Sequence, residues 1–351
     1  MPKSICIIRL SALGDVLMLV PLIRALQRAY PKAEITWIIS KPAYDLVKDI
    51  EAIDFVVIPK PKRFRDYLSF KRQMKDQHFD VLLATQASLR ANLLIACVKA
   101  KVKIGYDKLR ANDGQRFFTN KSIEPGKDHT LEGFLKFAKA LNIDDLDVRF
   151  DIPILPAEMD WVSALNIGSK RPLVLVNPAA SKPERSWQAH QYAELIKYLK
   201  AKKHAQVFLT GGPTPADDEL SKAINQLISV DRNLVGQTKP KQLLALIKTA
   251  DLMICPDTGP SHMASAVSTP VIALHAVTNP NISGPYGSLD RVINCYPEAL
   301  SQFKNKTPEQ VSWGTQVHDT RAMALVGLDA VLKRVDEFLN DINSSKTNFD
   351  R

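Results

Sequence analysis

The sequence of 351 residues has few cysteines and no long apolar run, and each of these absences narrows the class of protein. Its four cysteines are scattered and form no C-x-x-C pair, so we interpret them as small core side chains in a reducing compartment. No run of about 18 uncharged apolar residues occurs, so a membrane-spanning helix is not expected. The apolar N-terminus looks like a signal peptide only until Arg9 and Asp15 interrupt it, and we interpret it as a strand followed by a helix.

The sequence also lacks the fingerprints of several ligand classes. Neither G-x-G-x-x-G nor G-x-x-x-x-G-K-[ST] occurs, so neither a dinucleotide-binding fingerprint nor a Walker loop is supported. No carboxylate cluster accompanies the strand ends described below, so a divalent ion is not expected there. We therefore expect a protein without a resident metal or cofactor.

What the sequence does have is an uneven distribution of its net charge of +10. Residues 1–150 hold 26 Lys and Arg against 17 Asp and Glu, a net charge of +9, whereas the remaining residues hold 21 against 20. A field of this kind attracts an anionic partner, for which a membrane surface, an acidic glycolipid and a nucleic acid are the candidates.

Short apolar runs alternate with amphipathic stretches along most of the chain. In the first half the runs are SICIIRL, EITWIIS, DFVVIP, DVLLATQ and VKIGY, with helical periodicity at 15–29, 67–77, 89–99 and 130–141. After DIPILP the pattern restarts with PLVLVNP, AQVFLTGG, NLVGQ, DLMICPD and PVIALHA, separated by predicted helices at 188–201, 216–229, 240–250 and 260–267. The pattern predicts an α/β protein with two Rossmann-like doubly wound parallel-sheet domains facing across a cleft. We place these domains at 1–152 and 157–318, and expect a C-terminal helix within 319–345 to pack across them.

The first predicted strand ends in an unusual polar sequence, in which Ser11, Gly14 and Asp15 precede a helix. Gly14 permits a tight turn, and Asp15 lies at or near the helix start. One interpretation of Asp15 is a helix cap that satisfies free amides and suits the helix dipole. The other is a carboxylate that faces the cleft and accepts a proton from a hydroxyl. The spacing leaves both open.

Two strand ends in the second half carry small and basic residues. In VNPAASKPERSW, small residues allow a ligand close to the backbone, and Arg185 offers a planar fork for phosphate oxygens. A solvated basic loop explains the same segment. In LTGGP, Gly211 and Gly212 suit either close approach to a ribose or base, or an ordinary turn.

The most unusual strand end is CPDTGPSHMASA, residues 255–266. Thr258 and Gly259 would place free backbone amides at a helix N-terminus, which suits the anionic oxygens of a diphosphate. Asp257 could cap the turn, and His262 could donate to a phosphate or orient the loop. The alternative for His262 is an ordinary core histidine on an apolar helix.

A basic stretch in the first half, residues 59–75, contains seven Lys and Arg, one Asp and three aromatic residues. Basic residues interleaved with aromatic ones are typical of single-stranded nucleic-acid binding. They equally suit a surface that approaches anionic headgroups with some apolar insertion, or a merely solvated basic face.

Taken together, these motifs resemble those of a known family. The segments RLSALGDVLMLVPLIRAL, PAASKPERSW, LTGGP, NLVGQT, CPDTGPSHMASAVSTPVIALHAVTNP and GPYG occur in the order found in the bacterial ADP-heptose:lipopolysaccharide heptosyltransferases, glycosyltransferase family 9. The resemblance runs from about residue 4 to residue 287. It implies a GT-B fold, with the acceptor in the first domain and the nucleotide sugar in the second.

The resemblance also implies an activity and a setting. The activity is an inverting, metal-independent transfer of heptose from ADP-L-glycero-D-manno-heptose to the inner core of lipopolysaccharide, with an anionic lipid A–Kdo acceptor. The setting is the cytoplasm, with peripheral contact to the inner membrane surface and no nucleic-acid partner. Such a transfer needs a carboxylate to deprotonate the acceptor hydroxyl, and amides and a cation to stabilise the charge on the leaving ADP.

The resemblance assigns roles residue by residue. Asp15 matches the general base. The donor-binding positions are Ser181, Arg185, Thr238, Lys239, Asp257, Thr258, Gly259 and His262. The acceptor-binding positions are Ser11, Gly14, Lys62, Arg63 and Arg65.

Two segments depart from the family pattern. Pro215 stands at one position where an acidic residue helps hold the ribose, and Asp217 is displaced from it. The usual LFGPTDP reads LHAVTNP, with His275 and Asn279 in place of the familiar residues. These departures leave open another nucleotide sugar, a non-lipid acceptor or an inactive protein. From a different class, a nucleotide- or nucleic-acid-binding protein without transferase activity is the alternative.

Overall fold

A computed structural model describes residues 1–168 and 171–347, with side chains described to residue 339. The contacts divide the chain into two compact units, one of Met1–Pro153 and a second that begins at Ile154. Each unit is an α/β domain with a single six-stranded parallel sheet.

The first unit alternates strands and helices in the order that its apolar runs predict. Its strands are β1 (Ser4–Ile8), β2 (Glu34–Ile39), β3 (Asp54–Val57), β4 (His78–Leu83), β5 (Lys99–Gly105) and β6 (Lys121–Ser122). Its helices are α1 (Leu13–Ala29), α2 (Lys41–Val47), α3 (Phe64–Gln73), α4 (Leu89–Cys97) and α5 (Thr130–Lys139). The strand order is β3-β2-β1-β4-β5-β6, so the order of connection reverses between β1 and β4.

The second unit repeats this topology. Its strands are β7 (Leu173–Val176), β8 (Gln206–Leu209), β9 (Arg232–Asn233), β10 (Leu252–Pro256), β11 (Val271–His275) and β12 (Ile293–Asn294). Its helices are α6 (Pro156–Ser163), α7 (Ala189–Lys203), α8 (Pro215–Leu227), α9 (Pro240–Thr249), α10 (Gly259–Ala266), α11 (Pro280–Ser283), α12 (Tyr296–Lys304) and α13 (Leu328–Thr347). The strand order β12-β11-β10-β7-β8-β9 places the reversal between β7 and β10.

The burial of the central elements follows from this layering. Strand β7 is buried along its whole length, and only the first residue of β1 is partly exposed, as expected for parallel strands that carry helices on both faces. Helix α1 is also buried over most of its length, because its apolar residues are not confined to one stripe. The ends of the central strands are therefore held in place, and the loops that follow them start from fixed positions.

The predicted doubly wound α/β fold is confirmed, and the deviations are local. Helices α2, α6, α11 and α12 were not predicted, because they are short or lie in Pro-punctuated segments. Helix α13 begins at Leu328 instead of near 319, after a short 3₁₀ turn at Ala322–Leu325. Its Val331, Val335 and Leu339 lie in the core of the second unit. Packing of α13 across both units stays a prediction. No helix in the described ranges combines the length and the apolarity needed to cross a bilayer.

Candidate active site

The first candidate site lies where the strand order of the first unit reverses, at the carboxyl ends of β1 and β4. In an open α/β sheet this is the position at which ligands bind. Asp15 sits in the first turn of α1, and its Oδ2 accepts a hydrogen bond from the backbone N–H of Ala12 at 3.2 Å. The same carboxylate forms a salt bridge with Arg9, while 33% of its side chain stays exposed. Asp15 is thus both a helix cap and an accessible carboxylate.

Arg9 fixes this carboxylate from the protein side. Its guanidinium donates to the carbonyl oxygen of Thr85 at 2.6 Å and lies over the ring of Phe134, 5.3 Å from the centroid. Only 10% of the Arg9 side chain is exposed. A buried cation with three separate contacts has little freedom, so it orients Asp15 with respect to both central strands. Sequence reasoning assigned Arg9 no role, although a charged residue directly after an apolar strand is a signal that could have found it.

Ser11 and Gly14 flank this pair. Gly14 is buried in the first turn of α1, and Ser11 is half-buried immediately before the helix. Both lie within four residues of Asp15, so the structure brings these three predicted residues together.

The second candidate site lies at the reversal point of the second unit, at the carboxyl ends of β7 and β10. Arg185 ends the 3₁₀ turn Pro183–Arg185 after β7, and Asp257 follows β10 directly. Their side chains form a salt bridge, with 3.4 Å between Arg185 Nη1 and Asp257 Oδ2. The Nε atom of Arg185 is buried and has no hydrogen-bond partner within the described ranges. A buried guanidinium with an unsatisfied donor is suited to an anionic ligand.

Asp257 is held by a chain of hydrogen bonds that the sequence did not reveal. The hydroxyl of Thr278 donates to Asp257 Oδ2 at 2.7 Å, and Ser283 Oγ donates to the same oxygen at 3.4 Å. Because a hydroxyl has one hydrogen, Thr278 Oγ1 can only accept from His275 Nδ1, which lies 3.2 Å away. This fixes the proton of His275 on Nδ1 and leaves its buried Nε2 without a hydrogen-bond partner in the described part of the chain.

The charges of this cluster are set by competing effects. Burial alone would raise the pKa of the Asp257 carboxyl, but the neighbouring His275 and Arg185 and the hydrogen bond from Thr278 outweigh it and hold that pKa below its ordinary value. Burial lowers the pKa of His275, so the imidazole is neutral at pH 7. Asp257 is therefore an anion that is matched by Arg185.

The start of α10 completes the second site. Thr258 is the N-cap residue, and its side chain makes no capping hydrogen bond to the first turn. Gly259 opens the helix, and His262 lies buried in its first turn. The predicted Asp257, Thr258, Gly259 and His262 thus occupy one continuous turn beside Arg185. An uncapped helix start next to a guanidinium can bind a phosphate group.

The remaining donor-side residues are less closely grouped. Ser181 is exposed in the loop that leads to Arg185. Thr238 is half-buried, and Lys239 is the exposed N-cap residue of α9. They follow β9, which is the outer strand of the sheet and is separated from β7 by β8. Within the described ranges, no hydrogen bond or salt bridge joins Ser181, Thr238 or Lys239 to Arg185 or Asp257.

The glycine pair after β8 has an internal partner. The N–H of Gly212 donates to Asp217 Oδ1 at 2.9 Å, and a Cβ atom at Gly211 would come within 2.8 Å of the same oxygen. A larger residue at position 211 would therefore displace the Asp217 carboxylate. Asp217 is displaced from the position at which the family has a ribose-binding acidic residue. Its carboxylate stabilises this loop by accepting the hydrogen bond from Gly212.

The basic residues Lys62, Arg63 and Arg65 lie at the start of α3, and all three are exposed. Helix α3 follows β3, the edge strand, which β2 separates from β1. The structure therefore places them at the same carboxyl edge of the sheet as Asp15 but two strands away, and does not bring them into contact with it.

Clusters of acidic residues that could bind a metal are not found within the described ranges. The sequence contains one D-x-D element, Asp145–Asp147, which does not lie at a strand end. Its carboxylates pair with Arg28 and Arg149 on the surface of the first unit. The prediction of metal-independent chemistry is not tested by these contacts.

Two six-stranded parallel sheets, with an exposed carboxylate at one reversal point and a guanidinium beside a helix start at the other, are the arrangement expected of a two-domain glycosyltransferase. The glycosyltransferase family 9 (heptosyltransferase) model matches residues 67–312. The lipopolysaccharide core heptosyltransferase OpsX of Haemophilus influenzae is 33% identical over 94% of this chain and 95% of its own length. The chain therefore belongs to glycosyltransferase family 9, as its motifs predicted, and is a transferase.

Solved structures support the same fold. A family 9 glycosyl transferase from Veillonella parvula superposes with a TM-score of 0.77 at 19% identity, covering 97% of each chain. The E. coli heptosyltransferase WaaC, solved with ADP, superposes with a TM-score of 0.71 at 18% identity, covering 95% of this chain and 99% of WaaC. At these identities the likeness shows the GT-B fold alone.

Proposed function

We propose that this protein transfers heptose from ADP-L-glycero-D-manno-heptose to the inner core of lipopolysaccharide, with inversion at the anomeric carbon. The similarity to the core heptosyltransferase OpsX, which extends over almost the whole of both chains, supports the acceptor class. A heptosyltransferase structure determined with ADP-2-deoxy-2-fluoro heptose, at a TM-score of 0.68, supports the donor class. In this proposal the protein acts in the cytoplasm, in peripheral contact with the inner membrane surface.

In this mechanism the first unit, with a boundary near residue 152, binds the acceptor. Asp15 removes the proton from the attacking acceptor hydroxyl as that oxygen bonds to the anomeric carbon. Arg9 orients the carboxylate but does not touch the substrate. Ser11 and Gly14 shape the wall beside it, and Lys62, Arg63 and Arg65 attract the anionic groups of the acceptor.

The second unit, over about 157–318, binds the donor. Arg185 and the backbone N–H groups of Thr258 and Gly259, at the start of α10, bind the diphosphate and stabilise the negative charge that the leaving ADP gains. His262 donates to a phosphate oxygen or orients the turn, and Ser181 adds a hydroxyl donor. Thr238 and Lys239 lie near the adenine. Because a guanidinium and a helix start supply the charge stabilisation, the proposed transfer needs no divalent ion.

One observation carries this proposal: the partly buried Arg185, which pairs with Asp257 and whose buried Nε has no hydrogen-bond partner in the described part of the chain, stands beside the uncapped start of α10. The experiment is to incubate the protein with a panel of nucleotide sugars and truncated core acceptors and to identify products by mass spectrometry. We expect a heptosylated core product with ADP-heptose, of inverted anomeric configuration by NMR. No product with ADP-heptose, or retained configuration, would overturn the proposal.

One observation supports an alternative donor sugar. His275 stands where the family has a phenylalanine, and it is fully buried beside Asp257. A product from a different nucleotide sugar in the same panel would assign that sugar instead. A protein that binds nucleotide or nucleic acid without catalysis would give no product with any donor and would still show a thermal shift with ADP or an oligonucleotide.

A further inference from the structure

A segment of irregular backbone in the second unit, residues 315–319, lies against both loops that carry the second candidate site. We call it the 315–319 strap. Its Val317 is fully buried in the core of this unit, and the backbone N–H of Val317 donates to the carbonyl oxygen of Val277 at 2.9 Å. Val277 directly precedes Thr278, whose hydroxyl donates to Asp257. The strap is thus anchored beside the acidic partner of the salt bridge in that site.

The two side chains that flank the buried valine of the strap contact the loop that carries Arg185. Gln316 Oε1 accepts a hydrogen bond from Lys182 Nζ at 3.0 Å, and His318 Nδ1 donates to Glu184 Oε1 at 3.2 Å. Because an ionised carboxylate only accepts hydrogen bonds, the Nδ1 atom of His318 carries a proton. Both contacts join residues that are 134 positions apart in the chain, so no local pattern predicts them.

The loop that carries Arg185 is a short closed turn. The backbone N–H of Arg185 donates to the carbonyl oxygen of Lys182, and that of Ser186 donates to the carbonyl oxygen of Pro183, both at 3.0 Å. The turn ends at Trp187, whose side chain is buried. A closed turn of this length has little internal freedom. The contacts of its other side chains with the strap therefore also hold the position of Arg185.

Arg185 needs this support because its own side chain is held loosely. Its salt bridge to Asp257 measures 3.4 Å, which is longer than the roughly 2.7–2.9 Å of a good charge-assisted hydrogen bond. Its Nε has no hydrogen-bond partner within the described ranges. Arg9 in the first unit, by contrast, contacts a carboxylate, a carbonyl oxygen and an aromatic ring. The direction of Arg185 is therefore set mainly by the turn from which it projects.

We propose that Gln316 and His318 are positioning residues of the donor site, which act on the diphosphate through the placement of Arg185. The inference rests on the proposed function, in which Arg185 binds the diphosphate of the donor. By holding the turn in advance, the strap reduces the conformational freedom that Arg185 loses when it binds phosphate.

The test is a double-mutant cycle on ADP affinity, measured by calorimetry with the full-length protein. We expect Q316A/H318A to bind ADP about 5- to 10-fold more weakly than wild type, as preorganisation of the turn is lost. In the R185A background the same two substitutions should change ADP affinity by less than about twofold, because they act only through Arg185. A residue that merely stabilised the fold would weaken ADP binding equally in both backgrounds.

Two further variants separate the contact from the side chain. H318N keeps an amide N–H close to the position of Nδ1, so it should bind ADP as wild type does, whereas H318A should not. The matched control is R334A, which removes the 2.9 Å contact of Arg334 with Glu337 on α13 of the same unit. R334A should leave ADP affinity unchanged. The melting temperature of Q316A/H318A should stay within about 2 °C of wild type, because its contacts are partly exposed.

Three outcomes would overturn the inference, and they can be told apart. If Q316A/H318A binds ADP as wild type does while R185A does not, the strap has no positioning role and the proposed function stands. If the loss in Q316A/H318A is equally large in the R185A background, the strap supports only the fold. If R185A itself binds ADP as tightly as wild type, the phosphate-binding role of Arg185 is wrong, and the inference falls with that part of the proposed function.

Discussion

The two units place the same two residue types at the same topological position. They differ in which of the two side chains is the more exposed to water. Each has an Arg–Asp salt bridge where its strand order reverses, Arg9–Asp15 in the first unit and Arg185–Asp257 in the second. In the first unit the carboxylate is 33% exposed and the arginine 10%, whereas in the second the carboxylate is 9% exposed and the arginine 17%. One unit therefore offers a proton acceptor, and the other a cation. The same fold therefore presents a negative charge in the first unit and a positive charge in the second, because the more buried partner of the salt bridge differs between them.

The surfaces of the two units differ in the same sense. The first unit carries nearly all of the net positive charge, and its Lys62, Arg63 and Arg65 are exposed. The second is nearly neutral overall, and its charged cluster lies inside, at Asp257, His275 and Arg185. This difference agrees with the proposed division of roles, in which the first unit binds an anionic acceptor and the second binds a diphosphate.

The largest effect is expected from Asp15→Asn. Asparagine keeps the shape and can still accept the hydrogen bond from Ala12, but it cannot take a proton, so kcat should fall by about 10³-fold. ADP affinity, measured by calorimetry, should stay within twofold because the nucleotide is assigned to the other unit. A matching loss of ADP affinity would contradict the division of roles between the two salt bridges.

Arg185→Ala should weaken ADP binding by about 10- to 100-fold, because charge-assisted hydrogen bonds to phosphate are lost. It also leaves the Asp257 carboxylate buried without its cation, which could destabilise the unit. The double variant R185A/D257N removes that charge and should recover the melting temperature without recovering ADP affinity.

The control for Arg185→Ala is Arg321→Ala. Arg321 also pairs with an aspartate, Asp319, at 2.7 Å, but on the surface with its side chain 73% exposed. Its loss should leave ADP affinity unchanged, as expected for an exposed ion pair. Equal losses of ADP affinity at the two positions would mean that Arg185 acts through the overall charge of the protein and not through contact with the phosphates.

Arg9→Met tests whether Asp15 needs its buried partner. The methionine fills part of the volume and removes the cation that orients the carboxylate, so kcat should fall by about tenfold with little change in ADP affinity. Arg9→Lys restores a charge and should recover part of the rate if the stability of the two variants is alike. A rate equal to wild type in Arg9→Met would show that the cap at Ala12 alone positions Asp15.

Thr278→Val should have the smallest effect, about a fivefold loss of ADP affinity at neutral pH, from one hydrogen bond to a charged group. The hydrogen bond from Thr278 is one of the effects that lower the pKa of Asp257. Removal of this hydrogen bond should therefore raise the pKa of Asp257.

The sign of the resulting pH dependence follows from linkage. A carboxyl whose folded-state pKa is depressed stabilises the fold above its unfolded pKa of about 3.9, and this stabilisation is lost as the pH falls through the folded pKa. In Thr278→Val the acid-side loss of both stability and ADP affinity should therefore begin at a higher pH than in wild type. Thermal melts and titrations from neutral to acidic pH would measure it, and coincident profiles would exclude a role for Thr278 in setting the charge of Asp257.

Much of the architecture could be predicted from local pattern. The alternation of apolar runs with helical stretches indicates parallel strands and their connecting helices, and the family motifs indicate where the ligand-facing turns lie. The short helices α2 and α6 were missed, because a single turn or two carries too little periodicity to be recognised. The role of Asp257 was only half predicted, because its partner Thr278 lies 21 residues away and becomes a neighbour only when β11 aligns beside β10.

The class of fold, the family, the uneven charge and the polar residues at the strand ends can be read from the amino-acid sequence, because composition and short-range spacing are enough to establish them. The exposure of Asp15, the burial of Arg9 beside it and the exposure of apolar residues such as Phe64 become visible only in the folded chain. Those properties depend on burial and on pairing across distant strands, and neither is a function of neighbouring residues alone.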